Sequence, residues 1–266
     1  THPDKAKSFA AFAGAVDVDE LKQMMASLQA SGDAGAGQSR SMFMDVYASA
    51  ARSHMERYGT TAAQLAAVAA KNSFHGSMNP RAQFRDVMTV EQVLADRLIV
   101  EPLTRSMCSP IGDGAAAAIV VSERKARELG VRSPVRVVTT VLRSGWDHAY
   151  DEAGLAEVCA AQAYEEAGIG PEDVSVIECH DASAPAELMA YESLQLCKKG
   201  EGGKLVDEGA TKLGGRIPVN TSGGLLRKGH PVGATGIAQI VELTEQIQGR
   251  AGKRQVKDAK VGLAHN

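Results

Sequence analysis

The second half of the chain alternates between short apolar segments and segments with helical spacing, and this alternation limits the fold more than any other feature. The apolar or β-branched segments predict strands at 112–122, 133–143, 174–180, 216–220 and 259–264. Helices are predicted between them, at 152–167, at 184–196 and after residue 230. Short strands that alternate with helices favour an α/β domain around a largely buried sheet.

The first third of the sequence contains helical patterns but no strand pattern. Helices are predicted at 17–29, at 42–58 with Gly59 as terminator, at 62–71, and at 89–96 with Thr89 as N-cap. The intervening 72–86 segment and the glycine-rich 198–216 segment are predicted to be loops. A helical segment that precedes an α/β domain is more often an insertion in that domain, or a cap over it, than a domain of its own.

Charge and cysteine usage exclude several function classes. The formal net charge is −3 and no basic stripe with interleaved aromatics occurs, so we expect binding neither to nucleic acid nor to anionic membranes. No apolar run is long enough to span a bilayer. The four cysteines are too few and too scattered for a disulfide framework and form no CxxC pair. We therefore expect a reducing cytoplasm and no metal site.

The most informative stretch is NTSGGLLRKGHPVGATG at 220–236, a glycine-rich loop with one histidine. Its glycines fit neither the Walker nor the dinucleotide-binding spacing. Pro231 suits the first position of a helix, which would make His230 the N-cap and hold its imidazole neutral against the helix dipole. A neutral imidazole can accept a proton from a thiol or donate a hydrogen bond to an oxyanion. The alternative is a capping histidine among small residues that serve close packing.

The small residues after His230 are expected to keep the first helical turn narrow. Another backbone or a thin ligand could then approach Gly233 closely. The buried face of this helix is expected to consist of Ile237, Ile240, Val241 and Ile247.

A second histidine, His180, stands with Asp181 where the strand predicted at 174–180 ends. Ligand and catalytic groups of open α/β sheets collect at the carboxyl ends of the strands. Because His180 and His230 each end a strand-to-helix passage, they could face one crevice. The alternative is that Asp181 caps the next helix and that His180 is incidental.

Together, these segments resemble the thiolase superfamily. VNTSGGLLRKGHPVGATG is similar to its glycine–histidine–proline signature, and CSPIGDGAAAAIVVS to the segment that closes the family's first half. VIECHDASAPAELMAYESLQLC is similar to the box that reads His-Asp-x-Phe in the sterol-carrier-protein-x and lipid-transfer-protein branch. MDVYASAARSHMERYGTT and NPRAQF resemble the helical loop region of that branch.

The resemblance implies a thiolase-like layered αβαβα fold, of which this chain holds mostly the C-terminal half. Residues 1–107 would form the helical loop region of the N-terminal half, and residues 108–266 the C-terminal α/β domain. The implied ligand is acyl-CoA, with no cofactor beyond the coenzyme A thioester that serves as substrate. The implied assembly is a homodimer, with a small partner subunit in some relatives.

The resemblance also implies roles for single residues. His230 would activate a nucleophilic cysteine and help to form an oxyanion hole, while His180 would hold the water or the acyl carbonyl of that hole. Asp181 would complete the catalytic set. The substrate-binding residues would be small ones that let the thin pantetheine arm pass: Ser222, Gly223, Gly224 and Gly233.

Two departures from the family pattern narrow the expected chemistry. The family's nucleophilic cysteine belongs upstream of the segments present here, so we expect this sequence to be a piece that lacks the N-terminal part. Where the branch has Cys-Phe after His-Asp, this chain has Ala182 and Ser183. Cys179 is expected to be a buried structural residue on the same face of its strand as Ile177. The same structural role is expected of Cys108, Cys159 and Cys197.

Three hypotheses follow. The first is an acyl-CoA-processing enzyme of lipid or steroid metabolism that forms or cleaves a carbon–carbon bond next to a thioester, as an acyltransferase or a retro-aldolase. Retro-aldol cleavage needs a base and an oxyanion site but no pair of cysteines, and His180, Asp181 and His230 would be enough in kind. The second is a non-catalytic acyl-CoA-binding or scaffold subunit. The third is an α/β domain whose glycines serve packing only.

Overall fold

The computed structural model describes residues 41–146 and 152–266, so the helix predicted at 17–29 lies outside the described residues. The helices within these ranges are α1 (Met42–Tyr58), α2 (Ala62–Ser77), α3 (Val90–Leu94), α4 (Glu123–Glu128), α5 (Leu155–Ala167), α6 (Ala184–Ser193), α7 (Gly202–Asp207), α8 (Gly224–Lys228) and α9 (Val232–Ile247). The strands are β1 (Leu98–Val100), β2 (Leu103–Thr104), β3 (Val176–Glu178) and β4 (Gly262–Ala264).

The predicted helices of the described first third are confirmed, together with their caps. Helix α1 ends at Gly59, which has the left-handed φ of 74° that favours glycine. Helix α3 begins after Thr89, whose hydroxyl accepts a hydrogen bond from the Gln92 backbone in a capping box. The loop predicted from residue 72 is wrong at its start, because α2 continues to Ser77. The polar residues there are buried and bonded; Asn72, for example, donates to Asp181 and Glu187.

The sheet that matters for the site is a parallel pair, β3 and β4, with Val176 beside Gly262 and Glu178 beside Ala264. The strand predicted at 216–220 contributes only one bridge, between Val219 and Ile177, so the sheet is smaller than the sequence predicted. The loop predicted at 198–216 contains the short helix α7.

Strand β3 lies between two layers of helices, as alternation along a strand requires. On one face, Val176 packs with Leu243 of α9. On the other, Ile177 and Cys179 join the main core, to which α1, α2 and α6 also contribute. The prediction that Cys179 is buried on the same face as Ile177 is confirmed. This core contains residues from both sides of position 108, so the boundary between a helical loop region at 1–107 and an α/β domain at 108–266 stays a prediction.

The strands predicted at 112–122 and 133–143 are wrong. Neither segment is a strand in the structure, and their large apolar side chains are exposed: Ile119 is 91% and Leu142 96% accessible. A β-branched sequence forms a strand only where a neighbouring strand takes its backbone hydrogen bonds. Within the described residues, neither segment is paired with one.

Helix α9 differs from its prediction in both cap and orientation. Its N-cap is Pro231, so His230 lies one residue before the cap. Ile237 and Ile240 are each 40% exposed, and the buried side instead carries polar residues. One of them, Glu242, accepts two hydrogen bonds from the buried Arg254, which explains how a charged side chain is tolerated inside. Among the described helices, none is both long and apolar enough to cross a membrane.

Candidate functional site

Two histidines stand at the same edge of the β3–β4 sheet. His180 follows β3 by two residues, and His265 comes directly after β4. Because the strands are parallel, their carboxyl ends coincide, and the backbone N–H of His265 donates to the carbonyl of Glu178 over 2.9 Å.

His230 reaches the same edge from the loop before α9. Its ring lies 5.0 Å, centroid to centroid, from the ring of His180, at an interplanar angle of 84°. This edge-to-face geometry is a favourable one for two aromatic rings. The structure therefore brings the rings of His180 and His230 together, and His265, whose pKa is influenced by His180, stands at the same sheet edge. We call these three residues the histidine cluster.

All three imidazoles of the histidine cluster are neutral at pH 7. Burial, followed by the nearby His180 and Lys228, lowers the pKa of His230 to about 4. Burial and His180 lower the pKa of His265 to about 4 as well. The pKa of His180 is also lowered, mainly by burial. The sequence predicted a neutral imidazole at His230 because of the helix dipole. In the structure, burial is the largest cause of its lowered pKa.

Thr235 contacts Nδ1 of His230 and can set which ring nitrogen carries the proton. The Thr235 hydroxyl, which is buried, donates to the carbonyl of Pro231 over 3.2 Å. Its oxygen is then the acceptor for Nδ1–H of His230, 2.8 Å away. In this arrangement the Nε2 atom of His230 bears the free lone pair, which makes it a proton acceptor.

We expect Thr235→Val to loosen this arrangement, because valine fills the same space without the accepting oxygen. The 15N NMR signals of His230 should change from a single Nδ1–H tautomer to a mixture of both tautomers. Thr235→Ser keeps the hydroxyl and should keep the single tautomer. A valine variant whose His230 signals match those of the native protein would show that Thr235 does not set the tautomer.

An open groove of about 460 Å³ runs beside His230, between the 112–116 segment and the first turn of α9. Gly233 lines it, and a Cβ added there would meet no atom within 4 Å. Gly114 lies on the opposite wall, where a Cβ would come within 2.8 Å of the Pro231 ring. Of the four residues predicted to bind substrate, Gly233 is thus the one that faces open space.

Asp181 lies behind the crevice. Its carboxylate is fully buried and accepts hydrogen bonds from the backbone N–H of Leu225, over 2.7 Å, and from the side chain of Asn72, over 2.9 Å. Burial, together with Glu187, raises its pKa well above the usual range. A carboxylate enclosed in this way is not exposed to a ligand. The geometry therefore supports a structural role, in which Asp181 holds the backbone of the loop at 223–226.

Ser222, Gly223 and Gly224 are buried as well, so they do not lie along an accessible path for a pantetheine arm. The Ser222 hydroxyl donates to Glu178 over 2.5 Å. A Cβ on Gly223 would come within 2.7 Å of the Gly76 backbone, and one on Gly224 within 2.1 Å of the Asp181 carboxylate. These glycines make room for other parts of the protein itself.

Comparison with known proteins agrees with this architecture. A family model described as "Thiolase C-terminal domain-like" matches residues 137–266. Sterol carrier protein 2 of Rattus norvegicus is 42% identical over 230 residues, which are 83% of this chain and 42% of the relative. An acetyl-CoA acetyltransferase of Methanothermobacter thermautotrophicus is 43% identical over 229 residues, 84% of this chain and 60% of the relative. The chain belongs to the thiolase superfamily.

The solved structures give the same thiolase-like α/β fold. An Ltp2-ChsH2(DUF35) aldolase superposes with a TM-score of 0.72 at 28% identity, and the match covers 81% of this chain and 58% of the other. The chain thus spans well under two thirds of the length of each of these thiolase-like proteins.

The cysteines of this thiolase-like chain are poorly placed for thiolate chemistry. Cys179 is fully buried and accepts a hydrogen bond from Asn220, and its pKa is raised mainly by burial. Burial also raises the pKa of the partly buried Cys108 to about 12. At the position where the resemblance implied a reactive cysteine, this chain has Ala182, and the next residue, Ser183, is the N-cap of α6.

His265 is the site residue that the sequence analysis missed. The signal that identified His180, a histidine where an apolar strand ends, is also present in the 259–264 strand prediction followed by His265. Only the parallel pairing of β3 with β4 shows that the two strand ends are neighbours.

Proposed function

We propose that this chain takes part in acyl-CoA chemistry, in an enzyme that forms or cleaves a carbon–carbon bond next to a thioester. The observation that carries the proposal is the histidine cluster. The rings of His180 and His230 lie in contact, His265 stands at the same end of the parallel strands, the pKa values of His230 and His265 are lowered, and an open groove begins at the residue after His230. Neutral imidazoles serve both as proton acceptors and as hydrogen-bond donors.

The proposed step is retro-aldol cleavage of a β-hydroxyacyl-CoA. Nε2 of His230 takes the proton from the β-hydroxyl, the α–β carbon–carbon bond breaks, and its electron pair forms the enolate of the shortened thioester. A carbonyl compound leaves, and the enolate carbon is then protonated. An N–H of His180 or His265 stabilises the enolate oxygen, which is where the negative charge develops.

Cleavage of this kind is favoured over thiolysis by the residue at position 182. The resemblance implies the acid/base cysteine of thiolysis there, but this chain has Ala182, and the thiols of Cys108 and Cys179 have raised pKa values that disfavour the thiolate. The same observation favours the second candidate, a non-catalytic acyl-CoA-binding or scaffold subunit. We further propose a lipid or steroid acyl group, a cytoplasmic location, a homodimer and a small partner subunit; the Ltp2-ChsH2(DUF35) aldolase supports the last of these.

The test is a pair of assays on the full-length protein, one with a β-hydroxyacyl-CoA alone and one with a 3-ketoacyl-CoA plus coenzyme A. We expect cleavage of the first substrate to a carbonyl compound and a shortened acyl-CoA, and no thiolysis of the second. Calorimetric titration with the same acyl-CoA reports binding. Binding without turnover of either substrate would favour the scaffold hypothesis over the enzyme hypothesis. Thiolysis without cleavage of the β-hydroxyacyl-CoA would show that the protein is a thiolase and not a retro-aldolase.

A further inference from the structure

Lys228 is a buried cation close to the histidine cluster. It is the last residue of α8 and precedes His230 by two residues. Its side chain is 13% exposed, and its Nζ atom is buried without a hydrogen-bond partner among the described residues. The Oε2 atom of Glu178 lies 3.9 Å from Nζ, outside hydrogen-bond range.

Glu178 compensates this charge only in part. Its carboxylate is fully buried and already accepts two hydrogen bonds from Ser222, one from the backbone N–H over 3.0 Å and one from the hydroxyl. Burial raises the pKa of Glu178 to about 7, against the opposing effect of Lys228. Glu178 is therefore protonated more easily than an ordinary glutamate, and its carboxylate lies 3.9 Å from Nζ, so it offsets the charge of Lys228 only in part.

A buried cation without a full partner is costly, so its presence calls for an explanation. The charge of Lys228 acts on three buried or half-buried groups around it. It lowers the pKa of His230 and opposes the rise that burial causes in the pKa values of Glu178 and Asp181. Glu178 and Asp181 are enclosed by protein, whereas His230 is half-buried and directly precedes Pro231, which lines the groove.

We propose that Lys228 is a positioning residue of the histidine cluster, whose charge, held behind the glycine loop beside Glu178, favours negative charge on a ligand that contacts His230. The Nζ atom is buried, so it acts through its field and not by touching the ligand. A fixed cation disfavours the imidazolium form of His230 and so preserves the lone pair on Nε2. It also stabilises an anionic oxygen beside the ring. That this oxygen belongs to a thioester enolate rests on the proposed function.

The test compares the native protein with Lys228→Met, Glu178→Gln and the double variant. The methionine keeps the length of the side chain without its charge. The glutamine has no ionisable group; its oxygen can accept from the Ser222 backbone N–H, and its amide N–H can donate to the Ser222 hydroxyl oxygen. The double variant removes both charges together, so it does not leave Glu178 as an unpaired buried carboxylate. NMR titration of His230 and thermal unfolding are measured for all four proteins without ligand, and cleavage of the β-hydroxyacyl-CoA is measured beside them.

We expect the double variant to unfold near the native temperature, while the pKa of His230 rises by roughly half a unit. Its cleavage rate should fall by about three- to tenfold. In Glu178→Gln, which keeps the cation, the pKa of His230 should not rise. A double variant whose His230 titrates as in the native protein overturns the proposal, because Lys228 would then serve Glu178 alone. If the pKa of His230 rises in the double variant but the native protein cleaves no acyl-CoA, the proposed function fails while the role of Lys228 stands.

Discussion

His230→Ala is expected to lower the rate of β-hydroxyacyl-CoA cleavage by at least about 100-fold. The substitution removes both the proton acceptor at Nε2 and one wall of the crevice that His180 shares. Steady-state rates of the two proteins with the same acyl-CoA, at saturating and at low concentrations, measure the loss. The reduction should appear mainly in kcat, because the imidazole acts in the transition state more than in binding.

Two further measurements keep this result interpretable. His230 is only half-buried, so the free energy of unfolding of the alanine variant should stay close to the native value. In the native protein the acid limb of the pH–rate profile should lie near pH 4, well below the ordinary histidine value, because the base loses its lone pair only as pH falls through its lowered pKa. A native rate in His230→Ala would end the catalytic role of this residue.

Lys71→Met is expected to reduce the free energy of unfolding by about 3–5 kcal/mol. Lys71 and Glu187 form a buried ion pair, with side-chain exposures of 3% and 0%. Lys71 also donates to the carbonyl of Val219 over 2.9 Å. Methionine would leave the Glu187 carboxylate buried without its cation, and the remaining donors, from Asn72, Asn220 and Tyr191, are neutral.

Urea unfolding of the variants measures this loss. The exposed helical pair of Arg124 and Glu128 in α4 is the matched control, because both side chains reach solvent. Arg124→Met should change stability by roughly 0.5 kcal/mol at most. The double variant Lys71→Met/Glu187→Gln should be more stable than Lys71→Met alone, since it carries no unpaired charge. Equal effects of Lys71→Met and Arg124→Met would contradict the assignment.

The sequence was sufficient for the elements that local rules govern. Helix α1 with its terminator Gly59 and helix α3 with its cap Thr89 depend on side chains within a few residues of each end. Segments 112–122 and 133–143 have equally clear local patterns but are not strands, because a strand depends on a neighbour that local sequence does not specify. The predicted buried face of α9 was wrong for a related reason. Glu242 can be buried because it pairs with Arg254, and helical periodicity does not show that such a partner exists.

Site residues could be predicted from the sequence where they follow a predicted strand or precede a predicted helix. The sequence singled out His180 and His230, and the structure brings their rings together. Asp181, Ser222, Gly223 and Gly224 were predicted from the same motifs to be site residues, but in the structure all four are buried. Burial of this kind is a three-dimensional property, so a motif can mark such residues without telling whether they face a ligand or the core.

The fit between Gly224 and Asp181 has a consequence for how such sequences change with time. A methyl group at position 224 would overlap the Asp181 carboxylate, which in turn holds the N–H groups at the start of α8. Gly224 also has a left-handed φ of +61°, so a side chain there is strained even where the aspartate is absent. Among natural relatives, chains that have lost the aspartate should therefore still keep the glycine, whereas a larger residue at position 224 should not be found together with the aspartate.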